Sequence, residues 1–427
     1  MMPSLTPEQI NRDYDAANRQ YKALGIDTDA ALDALANTPI SLHCWQGDDV
    51  RGFEVHDTSV SGGGIMATGN YPGPAATPAM LRADAEKAIS LIPGKTRFNL
   101  HAIYAETDGK IVDRDAIGPE HFAGWMAWSK QRGIPLDFNP TFFAHPLAND
   151  GYTLSHADDH VRNFWIRHDK ACRRIAEAMG RNQGTACIVN HWMPDGAKDH
   201  PIDRYNPRLR MMAALDEIFS EPIDANFCKD AVECKLFGIG SEDYVVGSHE
   251  FFLGYVMTRP QMPCLDMGHF HPTENIHDKI SAIFCFKDEL LLHVSRGLRW
   301  DSDHVVILND DIRYLFQEIA RGGFLGKTRI ALDFFDASIN RIGAWVIGTR
   351  ATQKGLLNAL LEPTDQLREL EAKGDGASKL ALLEELKTYP FGAVWNMFCH
   401  QQQTPAGTAW INAMTDYDRT VIRARQK

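Results

Sequence analysis

Glu233, Asp266, His293 and Asp333 stand near the ends of four successive apolar runs, DAVECKLFG, PCLDMGHF, ELLLHVSR and RIALDFFD. Any one of them alone reads as a cap or a satisfied core group, the ordinary fate of a polar residue beside an apolar run. Together they are three carboxylates and an imidazole at similar depth in consecutive runs, and neighbouring strands lie only about 4.8 Å apart. Gathered around one point, they make the oxygen-rich donor set of a hard or borderline divalent ion such as Mn2+, Mg2+ or Co2+. A structural zinc more often draws on cysteine. The segments that follow carry a second set: His269 stands three residues past Asp266, and Asp301-Ser302-Asp303 follows His293. In an extended loop the two aspartates point one way, although Asp and Ser also favour caps and turns. The glycine and terminal glutamate of an EF-hand loop are missing around them. Two ions at one site imply Lewis-acid chemistry on an oxygen-bearing substrate.

Other polar residues stand close by. Lys235 is two residues from Glu233, so a strand would point both to one side, and a buried carboxylate and amine there demand pairing or a ligand. His101 lies late in RFNLHAIY (97–104), Asn139 in PLDFNPTF (135–142), and Asn190 and Trp192 close TACIVNHW (185–192). Trp45, Trp192 and Trp300 suit a wall on which a sugar could stack, though each taken singly reads as core.

The elements that must position these groups follow from the spacing of the apolar runs. Eight short runs, beginning with SLHCW (41–45), alternate with helix-like stretches. Such alternation predicts an α/β protein with a parallel sheet. Eight strands close a (β/α)8 TIM barrel, whose strand C-termini converge on one functional face, and 41–349 is a suitable length. A doubly wound open sheet is the alternative, but its phosphate fingerprints are absent. SGGGIMATGNYPG (61–73) has neither GK[ST] nor the G-x-G-x-x-G register, and reads as a surface loop or a lid. Before the barrel, Thr6-Pro7-Glu8-Gln9 predicts a capped helix, and 29–37 a second. From Leu356 the strands stop and helices follow, broken at Pro363, Gly374, Pro390 and Pro405. The expected organisation is an N-terminal helical segment (1–40), a catalytic barrel (41–350) and a helical extension (351–427) that packs on the barrel or on another subunit.

Composition narrows the partners. The chain has 427 residues and a net charge of −12, which argues against nucleic acid, whose phosphates demand a basic face. That also disfavours a metal-dependent nuclease, and a simple sugar-binding module would not need two metal sets. No apolar run approaches the ~20 residues of a membrane span, and the first residues lack a signal peptide's basic start and apolar stretch. The eight cysteines form no C-x-x-C and are expected to be buried free thiols in a reducing compartment.

Long blocks in order carry a resemblance. SLHCWQGDDV (41–50), MATGNYPG (66–73), RFNLHAIYAE (97–106), LSHADD (154–159), KLFGIG (235–240), GHFHPTE (268–274), RWDSDHVV (299–306) and LDFFDASINRIGAWVIGTR (332–350) make the chain resemble the L-rhamnose isomerase family over essentially its whole length. The resemblance implies a (β/α)8 barrel, a cytoplasmic homotetramer, and interconversion of L-rhamnose and L-rhamnulose in L-rhamnose degradation. It implies Mn2+ dependence with two divalent sites per subunit, Co2+, Zn2+ or Mg2+ being admissible at one. The family's catalytic ion maps onto His269, Asp301 and Asp303, and its structural ion onto Glu233, Asp266, His293 and Asp333. Lys235 would lie by the reacting oxygens, His101 would aid ring opening, and Asp333 joins them as a catalytic group. Trp192, His101 and Lys235 would touch the sugar. Gly297-Leu298 stands where the family has Pro-Val, and His191 where it has an aliphatic residue. A 1,2-hydride shift is favoured over a cis-enediol route, because the candidate carboxylates are committed to metal.

Overall fold

The computed structural model describes residues 2–45, 52–54, 71–235, 243–271, 273–297, 304–336 and 338–426. Eight parallel strands close into a barrel: β1 Ile40–His43, β2 Thr96–His101, β3 Leu136–Asn139, β4 Cys187–Trp192, β5 Cys228–Glu233, β6 Met262–Asp266, β7 Leu290–Val294 and β8 Thr328–Leu332. Each pairs with its neighbours in sequence, and β1 closes the ring against β8 with Ile40 level with Ile330. The predicted barrel is therefore the fold, and the open sheet is not. All eight apolar runs are strands because each is covered on both faces, by the barrel interior within and by helices outside. Ile188, Ala231, Met262, Cys264, Leu291 and Ala331 fill part of the interior as a cluster of their own.

The strands end earlier than the apolar runs suggested. β5 stops at Glu233 and β8 at Leu332, so Lys235 and Asp333 lie just beyond their strands rather than within them. The barrel's C-terminal rim begins there, and side chains turn from neighbouring strands toward the mouth.

A helix follows every strand. The N-terminal pair comes first: α1 Pro7–Lys22, with the predicted Thr6–Gln9 capping box, and α2 Thr28–Asn37, capped by Asp27. The barrel's outer ring is α3 Pro78–Ile89, α4 Ala123–Arg132, α5 Asp159–Gln183, α6 Asn206–Ser220, α7 His249–Met257, α8 His277–Phe284, α9 Asp310–Arg321 and α10 Arg341–Leu360. Helix α7 was not foreseen. Helix α10 runs through residue 350, where the sequence suggested a boundary, so the barrel's eighth helix is continuous across it. Asn309 caps α9, and Asp310 and Asp311 in its first turn oppose the helix dipole favourably.

One close approach ties α5 to the functional strands. A Cβ on Gly180 would collide with the carbonyl oxygen of Phe227, immediately before β5. Gly180→Ala must therefore push the helix off the strand that ends in Glu233. A destabilisation of about 1–3 kcal/mol is expected by denaturant unfolding; an unchanged midpoint would show that α5 can shift freely.

The tail packs largely on its own barrel. Helix α11 spans Thr364–Ala372, α12 Gly376–Leu386, α13 Phe391–Gln401 and α14 Ala409–Tyr417. Helix α13 lies against α1 and α10, and the Tyr21 and Tyr389 rings meet at 5.4 Å. Helix α12 buries no residue, and Leu380 on it is 60% exposed. All eight cysteines are free thiols, and seven are buried as expected, but Cys285 is exposed. Among the described residues no helix is long and apolar enough to cross a membrane.

Candidate metal centre and active site

The register brings the inner set together. Glu233 is level with Cys264, Asp266 is level with His293, and the Asp333 amide donates to the Val294 carbonyl at 3.2 Å. The four side chains thus leave adjacent strands β5 to β8 at one depth. One ligand atom from each of Glu233, Asp266, His293 and Asp333 lies within 4.8 Å of the others. His293 Nδ1 is 3.4 Å from Glu233 Oε2, 3.5 Å from Asp266 Oδ2 and 3.1 Å from Asp333 Oδ2.

Three of these side chains are essentially inaccessible, whereas that of Asp333 retains 14% of its surface. Glu233 Oε1, His293 Nε2 and Asp333 Oδ1 are buried without a hydrogen bond of acceptable geometry among the described residues. Orphaned acceptors in a dry site are costly unless a cation satisfies them. Three carboxylates and an imidazole with such atoms fit a hard or borderline divalent ion.

The electrostatics agree. Burial works against ionised Glu233, but the His293 and His269 imidazoles outweigh it and hold the carboxyl well below its usual range. Burial also opposes a charged His293, yet Cys264 and the surrounding carboxylates raise it well above its ordinary value. For Asp333 burial prevails over the pull of His293 and moves the carboxyl up to about 7. One imidazolium is thus asked to balance three carboxylates, a role a divalent ion fills better.

His269 lies on the turn after β6, the only member of the expected outer set within the described residues. Asp301, Asp303 and Trp300 fall outside them, as do residues 61–70 of the glycine-rich stretch. His269 Nδ1 is 2.9 Å from the Cys234 carbonyl and 2.9 Å from Glu233 Oε1. A proton on Nδ1 donates to the Cys234 carbonyl, the kind of contact that fixes a ligating imidazole, and Glu233 Oε1 lies alongside as a charge partner. Nε2 is 3.1 Å from Lys235 Nζ, which sits 4.9 Å over the Trp192 ring. Glu233 therefore touches both imidazoles. The two sets inferred as separate share an edge, and Lys235 reaches the same group although it lies past the strand.

The remaining expected residues divide. His101 closes β2, contacts Thr141 Oγ1 through Nδ1 at 2.9 Å, and lies edge-on to Trp45 and Phe143. Burial, then the nearby Arg114 guanidinium, lowers its pKa to about 3. Trp192 Nε1 is buried without a hydrogen bond among the described residues, so an indole donor is available beside Lys235. Trp45 is core rather than wall: it is buried, and its Nε1 donates to the Phe334 carbonyl at 3.2 Å. Asn139 bonds to Asn99.

A model of the family described as L-rhamnose isomerase (RhaA) matches residues 8–425. The chain belongs to the L-rhamnose isomerase family. It is 55% identical over 416 residues to the L-rhamnose isomerase of Rhodopirellula baltica, covering 97% of each chain. It is 54% identical over 417 residues to that of Listeria monocytogenes, covering 98% of this chain and 99% of the relative. The L-rhamnose isomerase of Mannheimia succiniciproducens is 55% identical over 416 residues, covering 97% of this chain and 99% of its own. Among solved structures, an L-ribulose 3-epimerase aligns with 78% of this chain and 97% of its own length at 12% identity and a TM-score of 0.45. Membership in the L-rhamnose isomerase family makes the chain an enzyme, a sugar isomerase of the intramolecular oxidoreductase class.

Within this L-rhamnose isomerase framework, Asn190 stands at its strand end as the sequence placed it, whereas Arg114 and His168 carried no sequence signal. Asn190 donates to Glu233 Oε2. Arg114 is buried and donates to the carbonyls of Thr141, Phe143 and Ala144, shaping the loop that holds His101. His168 Nε2 accepts from the Thr141 amide at 3.0 Å. Arg114 and His168 come from the segments on either side of β3 and meet directly, His168 Nδ1 lying 2.9 Å from the Arg114 carbonyl.

Proposed function

We propose that the chain interconverts L-rhamnose and L-rhamnulose in a metal-dependent reaction, with Mn2+ as the working ion, by a 1,2-hydride shift. The observation that carries this function is the buried Glu233–Asp266–His293–Asp333 cluster joined through Glu233 to His269, in a chain of this family. The inner four would hold one ion; His269, with Asp301 and Asp303, would hold the other. A divalent ion held there would supply Lewis-acid polarisation of the sugar carbonyl.

The chain's own groups do the rest. Lys235 is steadied by the Trp192 face and presents its ammonium beside His269, where it can stabilise negative charge on the reacting oxygens. The Trp192 indole supplies a further donor and an apolar wall. His101, kept neutral by burial, can pass a proton at the ring oxygen instead of standing as a fixed charge. Asp333 alone of the inner four keeps solvent access, so it can both hold the ion and meet the substrate. In the shift itself the C2 hydrogen moves to C1 with its electron pair, O2 gives up a proton and O1 gains one.

Conversion of L-rhamnose should stop with a chelator and return with Mn2+. With deuterium at C2, the label should appear at C1 of the ketose; extensive washout into solvent would favour an enediol. His101→Asn should lower kcat/KM by about 10²–10⁴-fold, the usual worth of a positioned acid–base group. Unchanged rates in that variant would remove His101 from ring opening. The same proposal takes the protein to be a cytoplasmic homotetramer. The unpartnered face of α12, with Leu380 exposed, supports an assembly role for the helical extension.

A further inference from the structure

The inner cluster has a neighbour that the hard-metal assignment leaves unused. Cys264 lies on β6 two residues before Asp266 and directly opposite Glu233 on β5. Its sulfur, a carboxylate oxygen of Glu233 and a ring nitrogen of His293 all lie within 4.8 Å of one another, and all three residues are buried. His293 directs Nδ1 at the carboxylates, at 3.1–3.5 Å. Its other nitrogen, Nε2, is buried with no hydrogen bond among the described residues. An imidazole has two edges, so a ring nitrogen remains for a second donor set. The barrel interior below is not solidly filled either. A cavity of about 510 Å³ lies among the N-terminal ends of the strands and extends past Leu291 and Ala331 to His293.

We propose that Glu233, Cys264 and His293 form a binding set for a soft, sulfur-seeking cation, mutually exclusive with the Glu233–Asp266–His293–Asp333 set. Both sets draw on the Glu233 carboxylate and on the one His293 ring, so two divalent ions there would lie close enough to repel strongly, and an ion in one set keeps the other empty. Their chemistry differs by a thiolate in place of two carboxylates, and that exchange moves preference from hard oxygen-seeking ions toward soft ones. Binding breaks the Cys264 S–H bond, forms a sulfur–metal bond from the sulfur lone pair and releases one proton. The set rests on the proposed reading of Glu233 and His293 as inner-site ligands, and it makes the inner site sensitive to thiophilic metals.

The test uses the full-length, Mn2+-loaded chain titrated with Cd2+. Free Mn2+, followed by its electron paramagnetic resonance signal, should rise together with a sulfur-to-cadmium charge-transfer absorption. Cys264→Ser should abolish that absorption. It should also raise the Cd2+ needed for displacement by at least about tenfold, since even an outer contact is worth 10–100-fold in affinity. An absorption that persists unchanged in Cys264→Ser and Cys264→Ala overturns the proposal. Should both variants fail to fold, cadmium X-ray absorption on the unmodified chain decides: one sulfur in the shell supports the set, and only oxygen and nitrogen overturn it. The two proposals separate cleanly. Mn2+ uptake without a cadmium–sulfur band leaves the function standing and removes this set. A band that needs Cys264 in a chain that takes up no Mn2+ supports this set and removes the inner Mn2+ site.

Discussion

Glu233→Gln is expected to lose the inner ion, at least about 10²-fold in turnover, and about 3–5 kcal/mol of stability. The carboxylate is fully buried and meets two imidazoles, at 2.9 Å for His269 and 3.4 Å for His293, while accepting from Asn190. Glutamine keeps the shape and can keep the Asn190 bond. Its NH2 group, however, would then face His269 Nδ1, whose proton is already directed at the Cys234 carbonyl. A donor meets a donor, and the negative charge that balances His293 is gone. Removing one partner of a buried charged cluster leaves the others uncompensated, which is why the effect exceeds that of an ordinary surface pair. Metal content by elemental analysis, together with urea unfolding in the presence and absence of Mn2+, reads both parts. In the unmodified chain Mn2+ should raise the unfolding midpoint, because an ion that binds only the folded state stabilises it by mass action. In Glu233→Gln that increment should shrink. A variant with full metal content and full turnover would sink the assignment.

The barrel and the inner cluster were legible in the sequence for a shared reason. Parallel strands buried on both faces are continuous apolar runs, and a polar residue at the end of such a run is conspicuous. Glu233, Asp266, His293 and Asp333 each close one of four consecutive runs, so strand adjacency alone brings them together. Features that depend on exact strand ends were less legible: Lys235 and Asp333 fall past their strands because the chain turns at the rim while its apolar pattern continues. Helix α7, HEFFLGYVM, has no polar face to mark a helical period and was missed. Helix α10 is buried along most of its length, which hid its continuity through residue 350. The contact from Glu233 to His269 joins two sets that sequence spacing separates by 36 residues (269 less 233). It depends on the turn after β6 folding back toward β5, and nothing in the local residues prescribes that.

His191, on the outer side of β4, is the residue there with the largest expected consequence for stability. It points away from the barrel interior, between Asn190 and Trp192, which face the site. Its Nδ1 is 3.0 Å from Asp169 Oδ2 on α5, and its Nε2 is 3.0 Å from Asp230 Oδ1 on β5. Arg173, one helical turn beyond Asp169, grips Asp230 through Nε and Nη2 at 3.0 and 2.9 Å. Ionised carboxylates only accept, so both imidazole nitrogens must donate and the ring is a cation. Burial opposes that charge, but Asp169 and Asp230 outweigh it and raise the pKa to about 9.

The folded-state value lies above the ordinary 6.5, so the stabilisation is complete below about pH 6.5 and is lost as pH rises toward 9. Its size is on the order of a few kcal/mol. Unfolding midpoints measured from pH 6 to pH 10 should fall across that window in the natural chain. In His191→Leu the fall should be much shallower. Leucine also leaves Asp230 to Arg173 and takes from Asp169 its imidazolium partner in this network, so the variant should be weaker by about 3–5 kcal/mol at pH 6. That gap should narrow by pH 10, because the natural chain has by then lost its imidazolium as well. A constant gap across the pH range would mean that His191 acts by packing alone. Strand β4 carries Asn190 and Trp192 into the site, so the same titration is expected to loosen the Asn190 bond to Glu233 at high pH.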